Sequence, residues 1–275
     1  MTLARRRFGQ HFLEPAWIDK VLAAAAPGPD DHYVEIGPGR GAMTRPLAGR
    51  VATVTAIEID RDLVAWLEPR VARNVRVLSG DFLTLSRDAI FSGLSPSQPV
   101  RVVGNLPYNV SSPILFRLLE LHRATGRLTD ATLMLQREVA DRIAAPPGSR
   151  DTGVLSIMVQ LDADVEIVLT LPPGAFRPVP KVRSAVVRVT FRPPTVPLAD
   201  HARPLFERLV RSIFAQRRKT LGNSLRPLAS TLGIDPRAAL QSAGIDPSRR
   251  PETLHLVDLV KLADTLRSSS ESSVV

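Results

Sequence analysis

The chain is 275 residues long, contains no cysteine, and has 36 lysines and arginines against 27 aspartates and glutamates, a formal net charge of +9. The lack of thiols excludes disulfide scaffolds, cysteine nucleophiles, cysteine zinc sites and iron–sulfur clusters, and the five widely spaced histidines argue against any metal site. The basic surplus indicates a polyanionic partner, either nucleic acid or an anionic membrane surface, while a hydrophobic content of 44% predicts one large domain, alone or with a small one.

Neither a signal peptide nor a transmembrane helix is predicted. Three arginines, Arg5, Arg6 and Arg7, stand near the N-terminus, but charged residues interrupt the segment that follows, and its apolar run is too short for a signal sequence. No stretch of about 18 apolar residues occurs in the chain. We therefore expect a soluble, cytoplasmic protein that does not span a membrane.

The first half of the chain alternates short apolar runs with amphipathic stretches, which predicts strands and helices in turn. The predicted strands cover residues 32–36, 52–57, 75–78, 100–103 and 131–135. The predicted helices cover residues 16–26, 42–48, 62–71 and 113–121. This alternation predicts an α/β fold with a mainly parallel sheet and helices on both of its faces.

The pattern changes beyond Thr152. Closely spaced strands are predicted over residues 155–161, 165–169 and 185–191, which suggests an antiparallel edge of the sheet. After a proline-rich linker, helices are predicted over residues 203–215, 219–230, 237–242 and 253–267. We therefore predict a first domain at residues 1–195 and a small all-helical domain at residues 196–275, with a disordered serine-rich tail from about residue 268.

A glycine-rich loop follows the first predicted strand of the sheet. Gly37 and Gly39 stand directly after this strand, where a backbone without Cβ atoms can come close to a ligand. Glu58 ends the next strand, and a carboxylate in that place can accept hydrogen bonds from both hydroxyls of a ribose. The pattern fits a dinucleotide as well as the nucleoside cofactor S-adenosyl-L-methionine.

Two features favour S-adenosyl-L-methionine. Pro38 and the close spacing of the glycines are typical of a loop that does not cradle a pyrophosphate. Asp81 follows the third strand, where a carboxylate can meet the amino group of an adenine, and Phe82 would pack nearby. The alternative to a cofactor site is a purely structural role, in which the loop is a glycine-rich turn and the two acids cap helices.

The fourth strand runs into an asparagine-proline turn, Asn105-Leu106-Pro107-Tyr108, at the end of the strand where such sheets bind ligands. The Asn105 side-chain carbonyl and the Leu106 backbone carbonyl can accept both hydrogens of an adenine amine, whose lone pair then points at a methyl donor. Pro107 stiffens the turn, and Tyr108 offers a face on which a base can stack. Catalysis would rest on positioning and desolvation. The alternative is an ordinary turn with a core tyrosine.

The sequence resembles the ribosomal RNA adenine dimethyltransferases and, more narrowly, the bacterial small-subunit type tied to kasugamycin sensitivity. Besides the glycine loop and the asparagine-proline turn, the segments that carry the resemblance are residues 7–13, 58–60, 80–81, 172–182 and 214–220. The resemblance implies a Rossmann-like class I methyltransferase domain that uses S-adenosyl-L-methionine, followed by a small helical domain. It implies the transfer of two methyl groups to each of two adjacent adenosines of small-subunit ribosomal RNA during ribosome biogenesis.

The resemblance also implies roles for individual residues. The cofactor would be held by His11, Leu13, Gly37, Gly39, Glu58, Ile59, Asp81, Phe82 and Asn105. The target base would be held by Asn105 and Tyr108, with Leu106 and Pro107 in the same turn, and Phe176 would stack on its other face. The family more often has asparagine at the position of His11. For Phe176, a hydrophobic plug in a proline-rich loop is the alternative.

Three basic segments are predicted to contact RNA phosphates, although each alone could be a solvated surface. They comprise Arg5, Arg6, Arg7, Lys181, Arg183, Arg217, Arg218 and Lys219. Gly222 departs from the family pattern, which often has arginine there. The expected partner of a monomeric protein is ribosomal RNA or an immature small ribosomal subunit. Two other functions stay open: a large-subunit adenine methyltransferase of the macrolide-resistance type, and a non-catalytic RNA-binding assembly factor.

Overall fold

The computed structural model describes residues 12–272. Within them the chain divides into two compact units. Unit 1 contains the residues up to Asp141 together with Ala163–Arg192, and unit 2 contains Arg142–Asp162 together with the residues from Pro193 onward. The predicted boundary between residues 195 and 196 is close to the second of these breaks. The segment Arg142–Asp162 was not predicted to belong with the helical part of the chain.

Unit 1 is built on a seven-stranded sheet. The strands are β2 (His32–Ile36), β3 (Thr53–Glu58), β4 (Val75–Ser79), β5 (Val100–Asn105), β6 (Leu128–Gln136), β7 (Ala163–Leu171) and β9 (Ser184–Phe191). Two short strands, β1 (Phe12–Leu13) and β8 (Phe176–Arg177), form a separate antiparallel pair. The helices are α1 (Pro15–Ala25), α2 (Thr44–Ala48), α3 (Arg61–Leu67), α4 (Arg87–Ile90), α5 (Ser111–Thr125) and α6 (Arg137–Ile143), the last of which continues into unit 2.

The strand order in the sheet is β4-β3-β2-β5-β6-β9-β7. The five strands from β4 to β6 are parallel, while β9 is antiparallel to both of its neighbours. This confirms the predicted α/β fold with an antiparallel edge. The chain moves outward in opposite directions from the neighbouring strands β2 and β5, and ligands bind outside the carboxyl ends of the strands at such a switch point.

The amino ends of the central strands are fixed by Arg101, the second residue of β5. Its guanidinium forms ion pairs with Asp130 at 2.8 Å and with Asp31 at 2.7 Å, and it donates to the carbonyl of Ala25 at 2.6 Å. The three acceptors come from β6, from the loop before β2 and from the end of α1. These bonds hold the amino ends of the central strands together. The carboxyl ends of the same strands are left for binding.

Unit 2, within the described residues, has only helical elements. They are α7 (Val154–Asp162), α8 (Arg203–Ala215), α9 (Leu221–Ser224), α10 (Arg226–Leu232), α11 (Pro236–Ser242) and α12 (Leu256–Ser272), besides short 3₁₀ turns. The helical character predicted for the C-terminal region is thereby confirmed. No helix in residues 12–272 is both long and apolar enough to cross a lipid bilayer.

Three predictions in this region were wrong. Residues 155–161 are helical, because an apolar run of this length fits a buried helix as well as a strand. The helix predicted over 219–230 is divided into α9 and α10, and Pro227 stands in the first turn of the second. Residues 268–272, the described part of the tail predicted as disordered, continue α12, where the Ser268 hydroxyl donates to the carbonyl of Asp264 at 3.1 Å.

Candidate active site

A cavity opens in unit 1 at the carboxyl ends of β2, β3 and β5 and beside the loop after β4. Eleven of the predicted site residues line it: Leu13, Gly37, Gly39, Glu58, Ile59, Asp81, Phe82, Asn105, Leu106, Pro107 and Tyr108. The structure therefore brings the predicted cofactor residues and the predicted base-holding residues together in one place. The exceptions are Phe176, which does not line the cavity, and His11, which lies outside the described residues.

The glycine loop (residues 37–41) needs glycine for two physical reasons. Gly37 and Gly39 both have positive φ, at 70° and 57°, where side chains are disfavoured. A Cβ on Gly39 would also lie 3.1 Å from the ring of Phe12, which covers the loop. Phe12 lines the cavity and is an aromatic wall that the sequence reasoning did not identify.

Glu58 connects the glycine loop to the end of β3. Its Oε2 accepts a hydrogen bond from the amide of Gly39 at 3.0 Å, and its Oε1 accepts one from the amide of Asp60 at 2.9 Å. Burial raises the pKa of Glu58, and the two amide bonds oppose this shift. A carboxylate offers about four acceptor positions, so a ribose hydroxyl can still bind. The neighbouring Ile59 is half exposed and offers an apolar contact surface.

Asp81 stands in the loop that follows β4. The amide of Gly80 donates to the carbonyl of Glu58 at 2.9 Å, which places this loop beside the end of β3. One oxygen of Asp81 accepts from the amide of Leu83 at 2.9 Å, and the side chain is half-buried at the cavity. Phe82 is buried directly after it. A carboxylate and an aromatic ring thus adjoin in the region predicted to hold an adenine.

Glu35, inside β2, is a cavity residue that the sequence reasoning missed. Its side chain is fully buried, and neither carboxylate oxygen has a hydrogen-bond partner among the described residues. Burial raises the pKa of Glu35 to about 7; the nearby hydroxyl of Thr44 opposes this shift, and the charge of Glu58 adds to it. The available signal was an acid within the otherwise apolar strand His32–Ile36. A buried acid without a partner is suited to a positively charged ligand group.

The asparagine-proline turn (residues 105–108) begins at the last residue of β5. The amide of Leu106 donates to the carbonyl of Met134 on β6 at 3.3 Å, and the amide of Val110 donates to the carbonyl of Pro107 at 3.1 Å. The phenol oxygen of Tyr108 lies 2.7 Å from the hydroxyl oxygen of Ser184. Burial raises the pKa of Tyr108, so this phenol stays neutral at physiological pH.

Phe176 is not at the mouth of the cavity, which corrects its predicted placement. The pairing of β1 with β8 sets Leu13 opposite Phe176, and the ring is fully buried in the core with Met134 and Leu171. The prediction and the structure differ because the pairing of β8 with β1 turns the ring of Phe176 into the apolar core. In this arrangement it offers no face to a base.

The predicted RNA-binding residues lie in both units. Lys181 and Arg183 are exposed in the loop between β8 and β9, and the backbone carbonyl of Arg183 accepts from the amide of Arg137 at 2.9 Å. In unit 2, Arg218 and Lys219 are exposed directly after α8, and the guanidinium of Arg217 donates to the carbonyl of Arg150 at 2.5 Å. Arg5, Arg6 and Arg7 lie outside the described residues. Within residues 12–272 no group of three or more acidic or histidine side chains could hold a metal ion.

The sequence resembles known proteins over nearly its whole length. Residues 1–266 match the family model described as ribosomal RNA adenine dimethylase. The chain is 45% identical over 269 residues to the ribosomal RNA small subunit methyltransferase A of Pseudomonas fluorescens, a match that covers 96% of this chain and 94% of the relative. The protein of the same name from Nitrosococcus oceani is 46% identical over 268 residues, and the match covers 94% of each chain.

Solved structures with a similar fold include a dimethyladenosine transferase and a ribosomal RNA methyltransferase. A dimethyladenosine transferase from Plasmodium falciparum matches with a TM-score of 0.73 and 25% identity, over 92% of this chain and 96% of that one. The 23S ribosomal RNA methyltransferase ErmE matches with a TM-score of 0.66 and 28% identity, over 93% of this chain and 99% of that one.

Proposed function

The chain belongs to the ribosomal RNA adenine dimethylase family, and we propose that the cavity of unit 1 is its active site. The protein is an S-adenosyl-L-methionine-dependent dimethyltransferase that acts on two adjacent adenosines of small-subunit ribosomal RNA in ribosome biogenesis. One observation carries the assignment of the site: the glycine loop and the asparagine-proline turn line the same cavity. A cofactor bound beside the glycine loop and a base bound beside the asparagine-proline turn would meet in this cavity.

The cavity residues fit the cofactor. When bound, S-adenosyl-L-methionine would supply an electrophilic methyl group: the adenine amine would gain the methyl carbon and lose a proton, and the electrons of the broken carbon–sulfur bond would stay with sulfur. Glu35 would bind the ammonium group, because its buried carboxylate otherwise has no partner among the described residues. Glu58 would accept from the ribose hydroxyls, and Asp81 from the amino group of the cofactor's adenine. Ile59 and Phe82 would give apolar contacts.

The asparagine-proline turn would position the target adenine. The side-chain carbonyl of Asn105 and the backbone carbonyl of Leu106 would accept the two amine hydrogens, which directs the nitrogen lone pair toward the methyl group. Tyr108 would stack on the base, a contact worth about 1–3 kcal/mol that offsets part of the cost of unstacking it. Proton loss follows the attack, so no strong general base is needed; positioning and exclusion of water lower the barrier.

The basic residues support RNA as the partner. Lys181, Arg183, Arg218 and Lys219 are exposed in segments without regular secondary structure, where they can meet phosphates. We extend the same role to Arg217 and to the three arginines at positions 5–7. We further propose that the protein acts as a monomer in the cytoplasm and that its substrate is an immature small subunit.

The relatives favour the small-subunit function over the alternatives. Identities of 45% and 46% link the chain to proteins named for the small subunit, whereas the enzyme named for 23S RNA is 28% identical. A non-catalytic assembly factor would not need the asparagine-proline turn, which lines the cavity intact.

A transfer assay tests this function. The protein is incubated with labelled S-adenosyl-L-methionine and, in parallel, with undermethylated small subunits or with large-subunit RNA, and the modified bases are mapped. We expect two neighbouring dimethylated adenosines in the small subunit. Label only in large-subunit RNA would support the resistance-type enzyme, and no label in either RNA would support the assembly factor.

A further inference from the structure

The side-chain hydroxyl of Ser184 lies within hydrogen-bond distance of the phenol of Tyr108. The two oxygens are 2.7 Å apart, the usual distance for a hydrogen bond between hydroxyl groups. Ser184 is fully buried at the first position of β9. A buried hydroxyl requires a hydrogen-bond partner, and the phenol of Tyr108 supplies it.

Ser184 is a rigid anchor because two strands hold its backbone. It pairs with Gln136 at the end of β6 and with Leu171 at the end of β7. Tyr108, by contrast, belongs to a turn outside the sheet. The Ser184–Tyr108 bond therefore connects an aromatic side chain of the turn to the sheet.

The backbone of the turn is held by other bonds, which do not orient the ring. The amide of Val110 donates to the carbonyl of Pro107 at 3.1 Å, and the hydroxyl of Ser111 donates to the carbonyl of Tyr108 at 3.1 Å. Both bonds restrain main-chain atoms, whereas the two side-chain torsions of Tyr108 determine where its ring face points. The bond to Ser184 fixes the far end of the ring and so restrains these torsions.

We propose that Ser184 is a positioning residue for base binding: its hydroxyl holds the ring of Tyr108 in the orientation that receives the target adenine. This inference rests on the proposed function of the cavity, which Tyr108 lines. A ring that is already oriented loses less conformational freedom when the base stacks, and the amine is placed more accurately for transfer. Ser184 itself touches neither the base nor the cofactor in this role.

The test compares four variants with the wild type in steady-state methyl transfer to undermethylated small subunits. Ser184→Ala and Tyr108→Phe each remove one partner of the hydrogen bond and keep the remaining shape. We expect each to lower kcat/KM for the RNA by about tenfold. The double variant should be no slower than either single variant, because the two changes remove the same bond. Ser184→Thr keeps the hydroxyl and should retain most of the activity.

Two further measurements separate positioning from a general loss of structure. Cofactor affinity, measured by calorimetry, should stay within about twofold of wild type in Ser184→Ala, since the cofactor residues are unchanged. The matched control is Ser224→Ala, which removes another fully buried serine hydroxyl, in α9 of unit 2. This control should transfer methyl groups at the wild-type rate.

The inference is overturned if Ser184→Ala matches the wild type, or if the losses of the two single variants multiply in the double variant. It is also overturned if Ser184→Thr is as slow as Ser184→Ala. The wild type tests the proposed function separately in the same assay. No transfer by the wild type would contradict that function, whereas wild-type transfer with an unaffected Ser184→Ala would contradict the role of Ser184 alone.

Discussion

The backbone amide of Gly39 donates a hydrogen bond of 3.0 Å to the carboxylate of Glu58. The other oxygen of the same carboxylate accepts from the amide of Asp60 at 2.9 Å, so one buried acid joins the glycine loop, the end of β3 and the start of α3. The residue predicted to bind ribose is therefore also a residue that holds the glycine loop in place. Changes to the loop should reach the cofactor through this bond.

Gly39→Ala should weaken cofactor binding by about tenfold or more. An alanine at a φ of 57° is strained by roughly 1–2 kcal/mol, and its Cβ would lie 3.1 Å from Phe12. A shift of the backbone that relieves the strain or the contact with Phe12 would move the amide of residue 39 away from Glu58. The matched control is Gly126→Ala, which has a similar φ of 65° but open space around the added Cβ. Calorimetry should find lower cofactor affinity only at position 39, although both variants lose stability; equal affinities would contradict this role of the loop.

The free energy of unfolding of the cofactor-free protein should fall as pH rises from about 4.5 to about 7. Burial raises the pKa of Glu35 from 4.5 to about 7, so in this window the folded state keeps a proton that the unfolded state has lost. Glu35→Gln should remove this contribution and stabilise the cofactor-free protein above pH 7, by up to about 3 kcal/mol. Urea unfolding at several pH values measures both effects. If the free energy of unfolding of Glu35→Gln changed with pH as it does in the wild type, the pH dependence would belong to another group.

The affinity for S-adenosyl-L-methionine should change with pH in the opposite sense. An ammonium group binds the ionised form of Glu35, so wild-type affinity should rise as pH passes through about 7. Glu35→Gln should bind more weakly, and its affinity should lose this pH dependence. Calorimetric titration in two buffers of different ionisation enthalpy would also detect the proton that wild-type Glu35 releases on binding near pH 7.

Unit 2 contains a buried ion pair whose disruption should be costly. The carboxylate of Asp162 on α7 accepts two hydrogen bonds from the guanidinium of Arg203 on α8, at 2.9 and 3.0 Å, and both side chains are buried. Asp162→Ala leaves the buried guanidinium without its carboxylate, which should lower the free energy of unfolding by about 3–5 kcal/mol. Asp164→Ala is the control, because Asp164 pairs with Arg192 at 2.8 Å but is 70% exposed; it should cost less than about 1 kcal/mol. Similar losses of unfolding free energy in the two variants would contradict the claim that burial makes the Asp162–Arg203 pair more important.

RNA affinity should depend on salt through the basic segments. Replacing Lys181 and Arg183 by alanine should weaken binding to small-subunit RNA and make the slope of log affinity against log salt shallower by about 2, or 1 for each lost phosphate contact. The measurement is RNA binding over a series of salt concentrations. A double variant with the wild-type slope would place both side chains away from phosphates.

Local patterns predicted most of the fold and much of the site. The parallel strands follow from apolar runs between amphipathic helices, and the carboxyl ends of neighbouring strands necessarily share one edge of the sheet. Gly37, Glu58, Asp81 and Asn105 each stand at the end of such a strand or just after it, which is why they meet.

What the sequence could not predict depends on contacts between distant segments. Phe176 is buried because β8 pairs with β1, and no local pattern specifies that pairing. Glu35 occupies the position of a core residue, and only the cavity that it lines points to a role for its carboxylate. The bond from Ser184 to Tyr108 joins two segments that are far apart in the chain. The strand predicted over residues 155–161 was wrong for another reason: a short apolar run does not distinguish a strand from a buried helix such as Val154–Asp162.

The most direct test of the central claim is Asn105→Ala, measured for single-turnover methyl transfer and for cofactor affinity in the same preparation. If Asn105 orients the target amine, transfer to small-subunit RNA should be abolished, while the affinity for S-adenosyl-L-methionine stays within about tenfold, or ~1.4 kcal/mol, of wild type. An equal loss of transfer and of cofactor affinity would show that Asn105 is chiefly a cofactor ligand and would contradict the account.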